Sequence, residues 1–384
     1  MRKLINMIIP FKYGKIVDEA DFTDRREETK KLVNNFKALT NTAIISPRRW
    51  GKSSLVNKAI NILSAQDRNT LYVRMNIFKC GNEQDFYESF AKAVIEGVSS
   101  STETLLANAC EFISRLLPKL VLTDPNGHYE IGFGVDVKHN PIGEDILDLP
   151  QQIALRKKKR IIVAIDEFQQ IGEFSSSLRF QKILRSHWQE QTKVAYILYG
   201  SKMHMMMNIF GQYNSPFYKF GDMMFLPKIS NEDWGEYIVK RFEETGKTIK
   251  KEVARLLAEK VENHPYYVQQ LAQYSWLSSD SECTVQVVER ALQGMIDSHN
   301  LQFMNLVDSL TQKQRNFLFA IADGVKSFSA SENLQRYNLG TSGNIRIMKD
   351  ALKKRDLIDT VGASIDIQDP LLKLWIHQEY NTIM

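Results

Sequence analysis

Cysteine is scarce in this sequence. The three present in 384 residues, Cys80, Cys110 and Cys283, are far apart and odd in number, with no CxxC pair and no zinc-ligand spacing. This usage points to a reducing cytoplasm rather than to a disulfide framework. Long apolar runs are missing too, since no stretch approaches the roughly 18 residues that a membrane-spanning helix needs. The basic start, Met1-Arg2-Lys3 followed by Leu4 to Ile9, is cut short by Pro10, Lys12 and Lys15 without a small-residue cleavage site, so a signal peptide is not expected. Membrane insertion is excluded and a cytoplasmic location expected. Charge of one sign does not dominate: the net charge is +5, compatible with phosphate or nucleic acid without demanding either. With 43% hydrophobic and 25% charged residues the chain has an ordinary globular composition, and its length predicts two or three domains.

One further absence sits inside the most informative stretch, Ser46-Pro47-Arg48-Arg49-Trp50-Gly51-Lys52-Ser53-Ser54. Ser46 stands where the GxxxxGK[ST] phosphate loop has its first glycine. The remaining parts have a mechanical sense. Consecutive backbone N–H groups would wrap phosphate oxygens, Lys52 would reach the outer phosphates, and the Ser53 hydroxyl would face Mg²⁺. The flanks supply the required context. Thr42 to Ile45 is a short apolar run suited to a buried strand, and Leu55, Val56, Ala59, Ile60 and Leu63 recur at helical spacing. A helix starting within the loop adds its partial positive charge to the phosphate site. The residue before a proline favours extended backbone, so Ser46 need not be glycine.

Arg160 to Ile165 is an apolar, β-branched run that ends in Asp166-Glu167. It predicts a central parallel strand that delivers two carboxylates to its C-terminal edge, where open α/β sheets bind ligands. Asp166 would hold Mg²⁺ directly or through water, and Glu167 would orient and deprotonate the attacking water. Val194 to Tyr199 reads as another strand, followed by Gly200-Ser201-Lys202. Ser201 is placed to sense the γ-phosphate; a plain turn serine is the other reading. No NKxD guanine-reading motif occurs, which favours ATP over GTP.

The remaining chain divides by pattern. Leu71 to Asn76 predicts another core strand, Phe86 to Val98 its returning helix, and Met223 to Leu226 the last core strand. Residues from about 99 to 150 are irregular and read as an insertion holding a hairpin, with a turn at Asp124-Pro125-Asn126-Gly127. Arg156 to Arg160 is a basic run, read as a solvated helix end or sheet rim before a nucleic-acid patch. Asp233–Phe242, Lys251–Glu262, Tyr266–Leu277 and Val285–Ile296 predict successive amphipathic helices of a small lid, with Pro265 suited to a first helical turn. Beyond about Leu310, helices at Gln312–Ala322, Ala330–Tyr337 and Ser342–Lys354 precede two short strands around Gly362, the pattern of a winged helix. Its third helix carries Arg346, Lys349, Lys353, Lys354 and Arg355, yet the module is nearly neutral, so DNA binding is compatible but not compelled. The expected boundaries are 1–228 for an α/β P-loop core with a parallel sheet, 229–306 for the helical lid and 307–384 for the winged helix.

These parts, in this order, resemble the AAA+/STAND-like ATPases of the archaeal ATPase group. The segments that carry the resemblance are Phe22-Thr23-Asp24-Arg25, the Ser46 to Ser54 loop, Ile162 to Phe168, Tyr199-Gly200-Ser201, Ser215 to Tyr218, His264-Pro265-Tyr266-Tyr267 and Asp369 to Trp375. The resemblance implies an AAA+ core of the type with an added catalytic glutamate, ATP and Mg²⁺ as ligands, a lid that closes on nucleotide, and a C-terminal winged helix. It assigns Lys52 and Ser53 to phosphate and Mg²⁺, Asp166 to the metal and Glu167 to the catalytic base. It puts Arg25 near the adenine and Pro265 in the lid contact. Where relatives often have an arginine after Tyr218, this chain has Lys219-Phe220-Gly221, so a charge-stabilising arginine falls to Arg179, Arg185 or a neighbouring subunit of a homo-oligomer.

An ATP-driven molecular switch is the leading expectation. An ATP-licensed DNA-binding protein and a protein-interaction scaffold with negligible hydrolysis are the alternatives, both acting through the winged helix.

Overall fold

The computed structural model describes residues 9–15, 23–98, 120–123, 130–133, 144–361 and 364–383. The expected turn at Asp124 to Gly127, and Cys110, lie outside the described residues. The chain divides into two compact units, Arg25–Pro227 on one side and Met1–Asp24 with Lys228–Met384 on the other.

The unit Arg25–Pro227 is an α/β layer structure. In chain order it holds α1 (Arg26–Ala38), β1 (Thr42–Ile45), α2 (Lys52–Gln66), β2 (Thr70–Asn76), α3 (Glu83–Val98), β3 (Leu120–Thr123), β4 (Glu130–Phe133), α4 (Leu149–Lys157), β5 (Arg160–Asp166), α5 (Ser177–Trp188), β6 (Val194–Gly200), α6 (Met203–Phe210) and β7 (Asp222–Phe225). Short 3₁₀ helices at Glu144–Asp148 and Phe168–Glu173 precede α4 and follow β5. Five strands form one parallel sheet in the order β2-β5-β6-β1-β7. Burial on both faces explains why β1, β5 and β6 are apolar throughout instead of alternating. The expected hairpin strands are present as the separate antiparallel pair β3 and β4.

One face of the sheet packs into an aromatic core. Trp188 of α5 stacks on Tyr196 of β6 with ring centroids 4.1 Å apart, and Phe168, just past the β5 acids, sits among Trp188, Phe210 and Phe217. Phe168 is fully buried there and pins the turn that follows Glu167. On the other face Asn35 of α1 donates to Thr42 of β1 and Asp222 of β7, both at 3.0 Å, tying the helix to the sheet edge. The basic run after Leu155 is a helix end and sheet rim. Lys157, Lys159 and Arg160 donate to the backbone carbonyls of Val98, Arg68 and Lys37.

The other unit is helical. Its elements are α7 (Asn231–Glu243), β8 (Thr248–Ile249), α8 (Lys251–Lys260), α9 (Pro265–Leu277), β9 (Glu282–Cys283), α10 (Val285–Asp308), α11 (Gln312–Ala322), α12 (Ser331–Arg336), α13 (Ser342–Lys354), β10 (Ile358–Val361), β11 (Ser364–Ile367) and α14 (Pro370–Ile383). The helix read as Val285–Ile296 continues for three further turns. Neither glycine nor proline interrupts it after Gly294, and Phe303 and Val307 extend its buried stripe. Thr311 and Gln314 form a reciprocal capping box that fixes where α11 begins. Helices α11 to α13 with the antiparallel pair β10 and β11 make a winged helix whose core is continuous with that of α7 to α10. Polar links reinforce the join. Tyr267 Oη donates to Asp369 at 2.6 Å, and Lys373 Nζ bridges Glu262 at 2.9 Å and Asp366 at 3.0 Å.

Candidate nucleotide site

The β1 strand is buried along its whole length and delivers Ser46 at its C-terminal end. Ser46 is itself buried and its backbone φ is not positive, so the position makes no demand for glycine. The left-handed backbone falls on Arg49 and Gly51 instead, at φ 65° and 85°. Gly51 caps α2, whose first intrahelical bond runs from Leu55 N–H to Gly51 O at 2.9 Å. The N–H groups of Lys52, Ser53 and Ser54 thus precede the helical ladder, which is the donor set an anion meets at a helix start.

Lys52 folds back over its own loop. Its Nζ donates to Ser46 O at 2.9 Å, Pro47 O at 2.7 Å and Ser46 Oγ at 3.3 Å. Three donors are therefore spent on three loop oxygens. Burial pulls the ammonium down to about 8, with Arg48 adding to the shift and Asp166 and Glu167 opposing it.

Across the sheet, β5 brings its acids to the same edge. Ser53 Oγ donates to Asp166 Oδ2 at 2.9 Å, so loop and acid pair are in direct contact. Burial raises the Asp166 carboxyl above the ordinary aspartate range, helped by the neighbouring Glu167 charge and opposed by Ser53, the Glu167 N–H and Lys52. Glu167 has a left-handed φ of 56°, uncommon for a non-glycine residue, and its N–H donates to Asp166 Oδ1 at 2.8 Å. That turn separates the two side chains. Asp166 turns toward the loop, while Glu167 Oε2 accepts from Ser201 Oγ at 2.9 Å and from the Gln169 amide.

The structure thus brings together Ser46, Pro47, Lys52, Ser53, Asp166, Glu167 and Ser201 at the C-terminal edge of β1, β5 and β6. Arg25 lies at the start of α1 with φ 62°, buried, its guanidinium donating to Pro227 O at 2.6 Å and pairing with Glu28 at 3.2 Å. It clasps the chain leaving β7. Pro265 belongs to the helical unit, where it opens α9 behind His264. Arg185, one of the arginine candidates, stacks over Phe220 at 4.9 Å, whereas Arg179 is exposed on the same helix. The residue that sequence reasoning missed is Gln169. A glutamine two places after an acid pair carries no signal until a 3₁₀ turn aims it backwards.

Ser53 and Asp166 offer a hydroxyl and a carboxylate, hard oxygen donors of the kind Mg²⁺ takes alongside substrate phosphates. Among the described residues no group of three or more His, Cys, Asp and Glu side chains could hold a metal alone. The donor set therefore fits Mg²⁺ carried with a nucleotide better than a caged structural metal.

No curated protein matches the sequence. Residues 301–378 match the family described as "Probable winged helix domain". Among solved structures, the Walker-type ATPase of Pyrococcus abyssi has a TM-score of 0.66 at 16% identity, covering 96% of this chain and 99% of that one. The ORC2 protein of Aeropyrum pernix, solved as ADPNP–ADP complexes, has a TM-score of 0.54 at 14% identity, covering 97% and 99%. At these identities the likeness is one of fold. The fold of this chain is a five-stranded parallel α/β core with a C-terminal winged helix, the fold it shares with the Walker-type ATPase of Pyrococcus abyssi and the ORC2 protein of Aeropyrum pernix.

Proposed function

We propose that this chain binds ATP with Mg²⁺ and hydrolyses it, and that the bound nucleotide acts as a molecular switch. The observation that carries this reading is the 2.9 Å hydrogen bond from Ser53 to Asp166, which joins the phosphate loop to the acid pair in one site. On this reading Lys52 exchanges Ser46 and Pro47 oxygens for phosphate oxygens when nucleotide arrives. The exchange suits a buried ammonium, because a phosphate supplies the counter-charge that carbonyls lack. The amides at the start of α2 wrap the inner phosphates. Ser53 and Asp166 would hold Mg²⁺, which would supply positive charge to offset the negative charge that develops on the phosphoryl group. Glu167 orients water and takes its proton, while Ser201 reports on the γ-phosphate. Arg25 near the base completes the proposed nucleotide contacts within the α/β unit, and the boundary at 228 follows the same reading. The test is Mg²⁺-dependent ATP turnover lost in Lys52→Ala and Glu167→Gln; equal turnover in all three proteins overturns it.

A second reading concerns what the winged helix does. Its helix α13 exposes Arg346 at 91% and Lys354, which favours DNA as the partner licensed by nucleotide. Asp350 faces Arg346 at 3.9 Å and the wing carries Asp359 opposite Asp366, so the surface has mixed sign. Titrating duplex DNA at increasing salt distinguishes the cases. A steep loss with salt supports DNA; no binding at low salt leaves the protein-docking role.

A further inference from the structure

Gln169 is 2% exposed, and its side-chain amide ends on Glu167 Oε2, the same oxygen that accepts from Ser201. Only the NH₂ end of an amide can donate to a carboxylate, so the orientation is set by chemistry. The other end, Oε1, is buried and accepts no hydrogen bond. An orphaned buried acceptor destabilises a fold, and its retention points to a use for the donor end. Gly200 makes the arrangement sterically feasible, since a Cβ there would stand 1.8 Å from Gln169 Oε1. Phe168, packed among Trp188, Phe210 and Phe217, anchors the turn from which Gln169 reaches back.

We propose that Gln169 is a positioning residue for Glu167, holding Oε2 so that Oε1 takes the proton of the attacking water. The inference rests on the ATPase reading above. Ser201 has a single hydroxyl proton to give. Once that proton turns to a phosphate oxygen, Glu167 loses one of its two donors and Gln169 becomes the remaining restraint. The left-handed backbone at Glu167 sets its side chain apart from Asp166, where Ser201 and Gln169 reach it. No protein donor reaches Glu167 Oε1 among the described residues, so that oxygen is left for water.

The test measures steady-state ATP hydrolysis and the affinity for a fluorescent ATP analogue in the full chain. It compares wild type with Gln169→Met and Gln169→Leu, which fill the space without a donor. Loss of a hydrogen bond to a charged group predicts a kcat lower by about 10- to 100-fold, with KM and analogue Kd within about twofold. In a Glu167→Gln background Gln169→Met changes turnover no further, because the two residues act as one unit. A kcat near wild type with intact analogue binding overturns the inference, as does loss of analogue binding in both variants, which would make Gln169 a folding residue. Wild-type turnover no greater than that of Lys52→Ala overturns the ATPase reading itself and this inference with it.

Discussion

Ser53 donates to Asp166 at 2.9 Å although the two residues are 113 positions apart. The contact follows from strand order. Strands β1 and β5 flank β6, so the loop leaving β1 and the acid pair leaving β5 emerge on the same edge.

The nucleotide-free protein should gain stability as pH rises from about 8 toward the ordinary lysine value. Lys52 is pulled down to about 8 by burial, so over that interval the unfolded chain binds more protons than the folded one. Lys52→Met should remove this rise. Thermal midpoints measured between pH 7 and about 10.5 check it, and parallel curves for the two proteins would count against the closed-loop geometry.

Asp166→Asn should stabilise the nucleotide-free protein. With its pKa raised in the fold, Asp166 contributes stability below the ordinary aspartate value that is lost as pH rises through its folded pKa, so at neutral pH its charge is destabilising. We expect a gain on the order of 1 kcal/mol together with loss of Mg²⁺-dependent nucleotide affinity. Denaturant unfolding and analogue titration with and without Mg²⁺ measure both, and a destabilised variant would contradict the argument.

Gly221→Ala should weaken the core. A Cβ there would stand 2.1 Å from the Asn41 carbonyl oxygen, a backbone atom that cannot swing aside without moving β1. Overpacking of this kind costs about 1–3 kcal/mol. A thermal midpoint unchanged from wild type would mean that β7 approaches β1 less closely than described.

If DNA is the partner of the winged helix, Arg346→Ala should weaken binding and flatten its salt dependence, whereas Asp350→Ala should strengthen binding. Anisotropy titrations of a duplex at several salt concentrations read both effects. Opposite signs for the two variants are the expected pattern, and identical behaviour would remove α13 from the interface.

Much of the core was legible in the sequence because fully buried parallel strands leave unbroken apolar runs. Thr42 to Ile45, the run ending at Asp166 and Val194 to Tyr199 all carried that signal. Helices α11 and α13 were readable from cap to end, since Thr311 and the polar turns around them punctuate the periodicity. Strand order was not legible, because buried strands of one sheet are interchangeable by composition. The extent of α10 escaped for a different reason: its buried stripe continues past Ile296 into the winged helix, where a domain boundary was expected. Ser46 was readable as tolerable from the proline that follows it, whereas the placement of the left-handed backbone at Arg49 and Gly51 was not. Gln169 was invisible because its contact depends on Gly200, 31 residues away in sequence and adjacent only in the fold.

The most direct test of the account is ATP hydrolysis by the purified full chain with Mg²⁺, compared among wild type, Lys52→Ala and Glu167→Gln. Turnover is expected in wild type alone, with lost nucleotide affinity in Lys52→Ala, and retained affinity with a rate lower by about 100-fold or more in Glu167→Gln, the loss expected for a positioned general base. Wild-type turnover matched by both variants would contradict it.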